Sequence, residues 1–246
     1  MNKVTFDFFP GNKVVAGYSA DCDGAWSYNK PDDYANYELL AKEFGITVDR
    51  LVRVHENHTN SILAVDSSNG GEGVIKDGAS GFYDGMITNA KNLMICVISA
   101  DCVPVFLYDS DNNAIGIVHS GKEGTVKEVA AKAVSGMKDR FNTDPANLKC
   151  IFGPFICQKH YQLQKKDITG FLKTYSNGQC DKFIKSDKDG YYVDLGTAIR
   201  FSLEKAGLKP DNIFNCNICT YENRNLFSFR RERNRIGHII SFIMLK

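Results

Sequence analysis

The sequence predicts an α+β fold: a single layered domain in which a mixed β-sheet is flanked by helices. Three observations predict it. Short strand-like apolar runs cluster in the first half of the chain, where 93–99, 103–108 and 114–119 follow one another closely. From Thr125 the period becomes helical, and helices then lie between the later strands, which favours a mixed sheet over a regular βαβ series. The chain of 246 residues, 43% hydrophobic and 24% charged, is long enough to bury a sizeable core and shows no linker or fixed-period repeat.

In chain order, YANYELLAKEF (34–44) reads as a helix ending before Gly45, and LVRVH (51–55) and SILAV (61–65) read as strands. The run 66–81, DSSNGGEGVIKDGASG, is a long loop of the kind that often carries function. LMICVIS (93–99) is a strand. VPVFLY (103–108) and AIGIVH (114–119) form a hairpin across the turn DSDNN. From Thr125, the spacing of Val126, Val129, Ala130, Ala133, Val134 and Met137 predicts one amphipathic helix of about four turns. CIFGP (150–154) is a strand, Asp194 caps a helix that stops at Gly207, and IFNCNIC (213–219) is a further strand.

Composition narrows the function. The net charge of +1 argues against electrostatic binding of nucleic acid. Apolar runs are far shorter than the roughly 20 residues that span a bilayer, and the N-terminal stretch does not read as a secretory signal. The expectation is a cytoplasmic protein without a membrane partner. Eight cysteines are too sparse for a disulfide scaffold, and several lie inside strand-like runs as small buried hydrophobes.

Chemistry falls to a few residues. Of five histidines, His55 and His119 end strands, and Cys102 lies at the bend between two strands, so all three can converge at a sheet rim. Two histidines and a cysteine suit zinc at roughly 2.0–2.3 Å with a fourth position open to activate water. Spacing alone leaves two other readings open: a buried thiol beside polar strand-end histidines, and a Cys102–His119 nucleophile pair. His58 reads as a solvated loop histidine that joins only where its segment turns. Cys216 and Cys219 form a CxxC pair, disfavoured as ligands because a strand over 213–219 would point them to opposite faces.

The tetrapeptide SADC occurs twice, at 19–22 and at 99–102. The second copy belongs to an ordered series: LVRVH, YDGMITN (83–89), SADCVPVFLYD, IGIVHSGKEGTV, GPFICQKHYQL, YYVDL (191–195) and CTYENRNLFSFRRERNRIG (219–237). On these motifs, from about Gly17 to Gly237, the chain resembles the YfiH-type laccase-domain family, also known as polyphenol oxidases and purine nucleoside phosphorylases. The resemblance implies a layered α+β fold and a zinc site at His55, Cys102 and His119. It implies phosphorolysis of adenosine, inosine and guanosine, with adenosine deamination as a second reaction. Copper and phenol oxidation is the alternative implied activity, and a weakened metal- or nucleoside-binding relative is another. Cys22 has no counterpart ligand in the family and reads as a bystander.

The chain departs from the family pattern in places. HAGWRG is His119-Ser120-Gly121-Lys122-Glu123-Gly124 here, so the arginine fork is absent and Glu123 would repel phosphate. Glu56 replaces a glycine, Gln162 a glutamate, and His238 an arginine. Lys122, Arg230 and Arg231 remain as candidates to bind phosphate. Protein partners and oligomeric state are not legible.

Overall fold

The computed structural model describes residues 3–7, 9, 12–20, 34–79, 81–233 and 237–246. Cys22 and Asp21, half of the first SADC copy, lie outside them. The strands are β1 (Lys3–Thr5), β2 (Val14–Ser19), β3 (Leu51–Arg53), β4 (Ile62–Ala64), β5 (Gly85–Thr88), β6 (Met94–Ser99) and β7 (Val103–Asp109). They continue as β8 (Ala114–Ser120), β9 (Lys149–Phe152), β10 (Gln162–Leu163), β11 (Ile184–Asp187), β12 (Gly190–Val193), β13 (Ile213–Asn215) and β14 (Ile239–Leu245). The helices are α1 (Tyr34–Glu43), α2 (Lys122–Val126), α3 (Val129–Phe141), α4 (Lys165–Thr174), α5 (Asn177–Phe183), α6 (Leu195–Lys205) and α7 (Phe229–Glu232).

Two mixed sheets stack face to face. One has the order β1-β2-β14-β6-β3, the other β13-β9-β7-β8-β5-β4, and a small sheet β10-β12-β11 stands apart. Strand alternation builds the layers. Along β7, Phe106 and Tyr108 point between the sheets while Val103, Val105 and Leu107 point outward against α3 and α6. Along β6, Ile95 and Val97 face the inter-sheet core, and Met94, Cys96 and Ile98 pack under Tyr37, Leu40 and Ala41 of α1. Both faces of each central strand are therefore covered, which is why these runs are continuously apolar instead of alternating. The predicted α+β architecture holds, with two principal sheets where the sequence suggested one.

Of three local expectations, two change. The predicted helix from Thr125 is broken into α2 and α3, because Glu128 adopts φ 54, a left-handed conformation that ends one helix and starts the next. Asp194 caps α6 as expected, its Oδ1 accepting the Thr197 amide at 3.1 Å. The strand expected over 213–219 stops at Asn215. Asn217 is left-handed at φ 58, so strand alternation does not govern Cys216 and Cys219.

Candidate metal centre and cavity

The hairpin β7–β8 positions the first site. In its antiparallel register Val103 pairs with Ser120 and Pro104 with His119, so Cys102 and His119 meet at one end of the hairpin. At the other end, Asp109 locks the turn by accepting the Asp111 and Asn112 amides at 3.0 and 3.1 Å. The third member comes from the loop after β3. There His58, left-handed at φ 54, turns its ring toward His119, with centroids 5.0 Å apart. The ligand atoms of His58, Cys102 and His119 all lie within 4.8 Å of one another.

Asp84, fully buried just before β5, organises this convergence. Its Oδ1 accepts the His58 amide at 2.9 Å, and its Oδ2 accepts the Thr59 amide at 2.5 Å and the Thr59 hydroxyl at 2.7 Å. The same Oδ1 lies 2.9 Å from His119 Nδ1. Donation of Nδ1–H to that carboxylate leaves Nε2 as the lone pair for an ion. Burial alone would raise the Asp84 pKa, but the hydrogen bonds from His119 and Thr59 outweigh it and hold the carboxyl at about 2. Burial likewise presses His119 toward neutrality. The charge of Cys102 and the bond to Asp84 overcome this and push the imidazole up to about 10. His58 is lowered, first by burial and then by the neighbouring His119.

The space between the donors fits an ion. Gly121 faces them, and a β-carbon there would stand 2.7 Å from Cys102 Sγ and 2.9 Å from His58 Nδ1. Two imidazoles and a thiolate are a donor set for zinc or copper.

His55 is not brought into this group. It is exposed, and its ring packs edge-on against Phe82 at 5.5 Å. Two residues separate His55 from the positive-φ turn at His58 that swings a ring inward, and strand-end position alone does not register that turn. Glu56, between them, is buried. Its Oε1 accepts the Ile98 amide at 2.7 Å, and among the described residues its Oε2 has no hydrogen-bond partner. Burial raises its pKa.

A cavity of about 470 Å³, a volume suited to a small-molecule ligand, opens over Cys102, His58 and His119. Its other walls include Lys122, Tyr161, Phe229, Arg230 and His238. Arg230 is anchored from both ends. Its amide donates to Asp101 Oδ2 at 2.6 Å, and its Nη1 donates to the carbonyls of His160 and Gln162 at 3.3 and 2.8 Å. Its guanidinium lies 5.3 Å from the Tyr161 ring centroid. Among the described residues, these side-chain hydrogen bonds run through Nη1. Asp101, left-handed at φ 89 beside Cys102, also accepts the Thr220 hydroxyl at 2.6 Å. It thereby joins the metal loop to the C-terminal segment.

The other two basic candidates are otherwise engaged. Lys122 lines the cavity but donates to Asp167 at 2.7 Å. Arg231 points away from the cavity. Its Nη1 donates to the Thr220, Tyr221 and Asn223 carbonyls, its Nη2 to Leu226, and both Nε and Nη2 reach Glu232. With those donors committed and 9% of the side chain exposed, it staples a loop and is not presented to a ligand. The Gln162 side chain also turns outward, donating to the Asp189 carbonyl at 2.6 Å. Tyr161, Phe229 and Asp84 escaped sequence reasoning. Only the motif YDGMITN signalled Asp84.

The chain is similar to several known proteins. A family described as multi-copper polyphenol oxidoreductase laccase matches residues 27–246. Purine nucleoside phosphorylase YlmD of Bacillus subtilis is 28% identical over 219 residues, covering 87% of this chain and 78% of its own length. A purine nucleoside phosphorylase of Rickettsia prowazekii is 30% identical over 206 residues, covering 83% of this chain and 79% of its own. The crystal structure of a Bacillus licheniformis hypothetical protein, YfiH, superposes with a TM-score of 0.88 at 28% identity. That match covers 96% of this chain and 94% of the other.

Proposed function

We propose that this chain, which belongs to the multi-copper polyphenol oxidoreductase laccase family, is a metal-dependent purine nucleoside phosphorylase. In this reading it converts adenosine, inosine or guanosine and phosphate to the free base and ribose-1-phosphate, and deaminates adenosine as a second reaction. The observation that carries the reading is the convergence of His58, Cys102 and His119 on one wall of a cavity that also holds an arginine and aromatic rings. The Bacillus and Rickettsia relatives, both named as purine nucleoside phosphorylases, support the purine assignment. Among the described residues, no helix is long and apolar enough to cross a membrane.

Zinc is the ion this reading assigns to His58, Cys102 and His119, and when bound it supplies Lewis-acid chemistry with a coordination position left open. The protein's own groups do the rest. Asp84 fixes the His119 tautomer, and Gly121 keeps the space between donors clear. Arg230 offers a positioned cation for phosphate. The exposed ring of Phe229 offers a face on which a purine can stack. Tyr161 stays protonated as a hydrogen-bond donor, because burial drives its phenol pKa upward. Lys122 is neutralised by Asp167, so phosphate affinity rests mainly on Arg230.

The test is product analysis of metal-defined protein given adenosine and phosphate. Adenine or hypoxanthine with ribose-1-phosphate supports the reading, and no turnover with retained zinc marks a binding-only relative. Oxidation of a phenolic dye in proportion to added copper would instead select the activity in the family's description. His58→Ala, Cys102→Ala and His119→Ala should each bind one metal ion fewer and lose turnover, while His55→Ala matches the parent in both. Arg230→Ala should raise KM for phosphate by about 10- to 100-fold, the loss of one charge-assisted contact.

A further inference from the structure

We propose that Cys157, His160 and Cys219, closed by Glu222, form a second metal site, for a thiophilic divalent cation such as zinc. These residues share nothing with the first site, so the inference stands apart from the proposed activity. Cys157 opens the short 3₁₀ turn Gln158–His160 after β9, and Cys219 follows β13. The backbone aligns the two segments. The Phe155 amide donates to the Ile218 carbonyl at 3.2 Å, and the Thr220 amide to the Phe155 carbonyl at 3.1 Å.

The ligand atoms of Cys157, His160 and Cys219 all lie within 4.8 Å of one another, the spacing of a coordination shell, and Glu222 approaches the histidine. His160 Nδ1 lies 3.3 Å from Cys157 Sγ, 3.9 Å from Cys219 Sγ and 3.6 Å from Glu222 Oε1. Zinc bonds of roughly 2.3 Å to sulfur and 2.0–2.1 Å to nitrogen and oxygen, at tetrahedral angles, put neighbouring ligand atoms about 3.5 Å apart. The Cys157 amide also donates to Cys219 Sγ at 3.3 Å, a bond that orients that sulfur toward the cluster. The imidazole is held in place by Tyr221, stacked at 4.3 Å and 16°. Both cysteines and the histidine are half-buried, which leaves an ion a route in, and a cavity of about 220 Å³ opens beside Cys157, Cys219 and Glu222. Cys216 is outside the cluster, so the CxxC spacing names one true donor and one bystander.

Occupancy would clamp the 155–162 loop to the 218–223 loop. That loop carries Tyr161, and its His160 and Gln162 carbonyls hold Arg230, so the second ion would stiffen the cavity wall that presents both.

The experiment is cobalt titration of reduced, metal-free, full-length Cys102→Ser protein, in which the first site has no thiolate. About one equivalent should bind with thiolate charge-transfer and tetrahedral d–d bands, bleached by zinc. Adding Cys157→Ser and Cys219→Ser should abolish the bands, and His160→Ala should weaken binding about 100-fold. In the wild-type background, native mass spectrometry should find one zinc fewer in Cys157→Ser/Cys219→Ser than in the parent, with unchanged far-ultraviolet circular dichroism. Three results would overturn the site: no tetrahedral band in folded Cys102→Ser protein, equal zinc content in the two wild-type-background proteins, or a Cys157–Cys219 disulfide in protein purified with zinc.

Discussion

Asp109 fixes the turn of the hairpin that carries Cys102 and His119, at the end opposite the cavity. Burial raises its pKa, but the turn amides and the Asn112 side chain, at 2.8 Å, outweigh that and hold it below the ordinary carboxylate value. A depressed carboxylate stabilises the fold above its ordinary pKa of 3.8, and that stability is lost as pH falls through the lower folded value. The gap between urea midpoints measured at pH 6 and at pH 3 should therefore narrow in Asp109→Asn, which carries no charge to lose at that position. An unchanged pH dependence would refute the assignment. The neighbouring arginines separate in the same way. Arg231→Ala should cost about 3 kcal/mol of stability, because it orphans several carbonyls at once. On the proposed function, Arg230 is read out in phosphate binding instead. Two adjacent residues in FSFRR thus have different duties, and nothing in the dipeptide distinguishes them.

At the scale of elements, chain reversals decide where the chemistry sits. Helix α3 ends at Asn142, left-handed at φ 57, whose amide reaches the Lys138 and Met137 carbonyls. Glycine adopts that conformation without a β-carbon penalty, so Asn142→Gly should stabilise by about 0.5 kcal/mol and Asn142→Ala should destabilise by about 1 kcal/mol. Thermal unfolding at fixed pH distinguishes the two signs. The periodicity from Thr125 correctly marks the buried face of α3, since Val129, Ala130, Ala133, Val134 and Met137 are all buried. It does not register the break at Glu128, because a hydrophobic stripe reports which side faces the core and carries no information on a single backbone dihedral. The same blindness explains the histidines. His55 sits at the end of an apolar run and is exposed, whereas His58 turns inward on a positive φ that Asp84 holds through three successive amides.

The whole molecule is two sheets pressed together, and the hairpin that carries Cys102 and His119 belongs to that interface. Phe106 stands at its centre, fully buried, with Phe6 edge-on at 5.2 Å. Phe106→Ala should cost about 4 kcal/mol by cavity formation, measured as a fall in unfolding free energy; a loss below about 1 kcal/mol would show the core collapsing freely. By itself, the sequence determined the α+β class, the β7–β8 hairpin, the α6 cap at Asp194, and Cys102 and His119 as candidate ligands. Each of these is local, resting on apolar period, a turn signal or a motif within about 20 residues. Only the tertiary structure decided the rest: His58 over His55, the outward turn of Arg231, Asp84 behind the histidine, and Cys219 beside Cys157 rather than Cys216. Those pairings join atoms up to 62 positions apart through left-handed turns and buried hydrogen bonds. Hydrophobic pattern fixes which face of a strand is buried, but which loop side chains meet above it depends on backbone reversals that only packing selects.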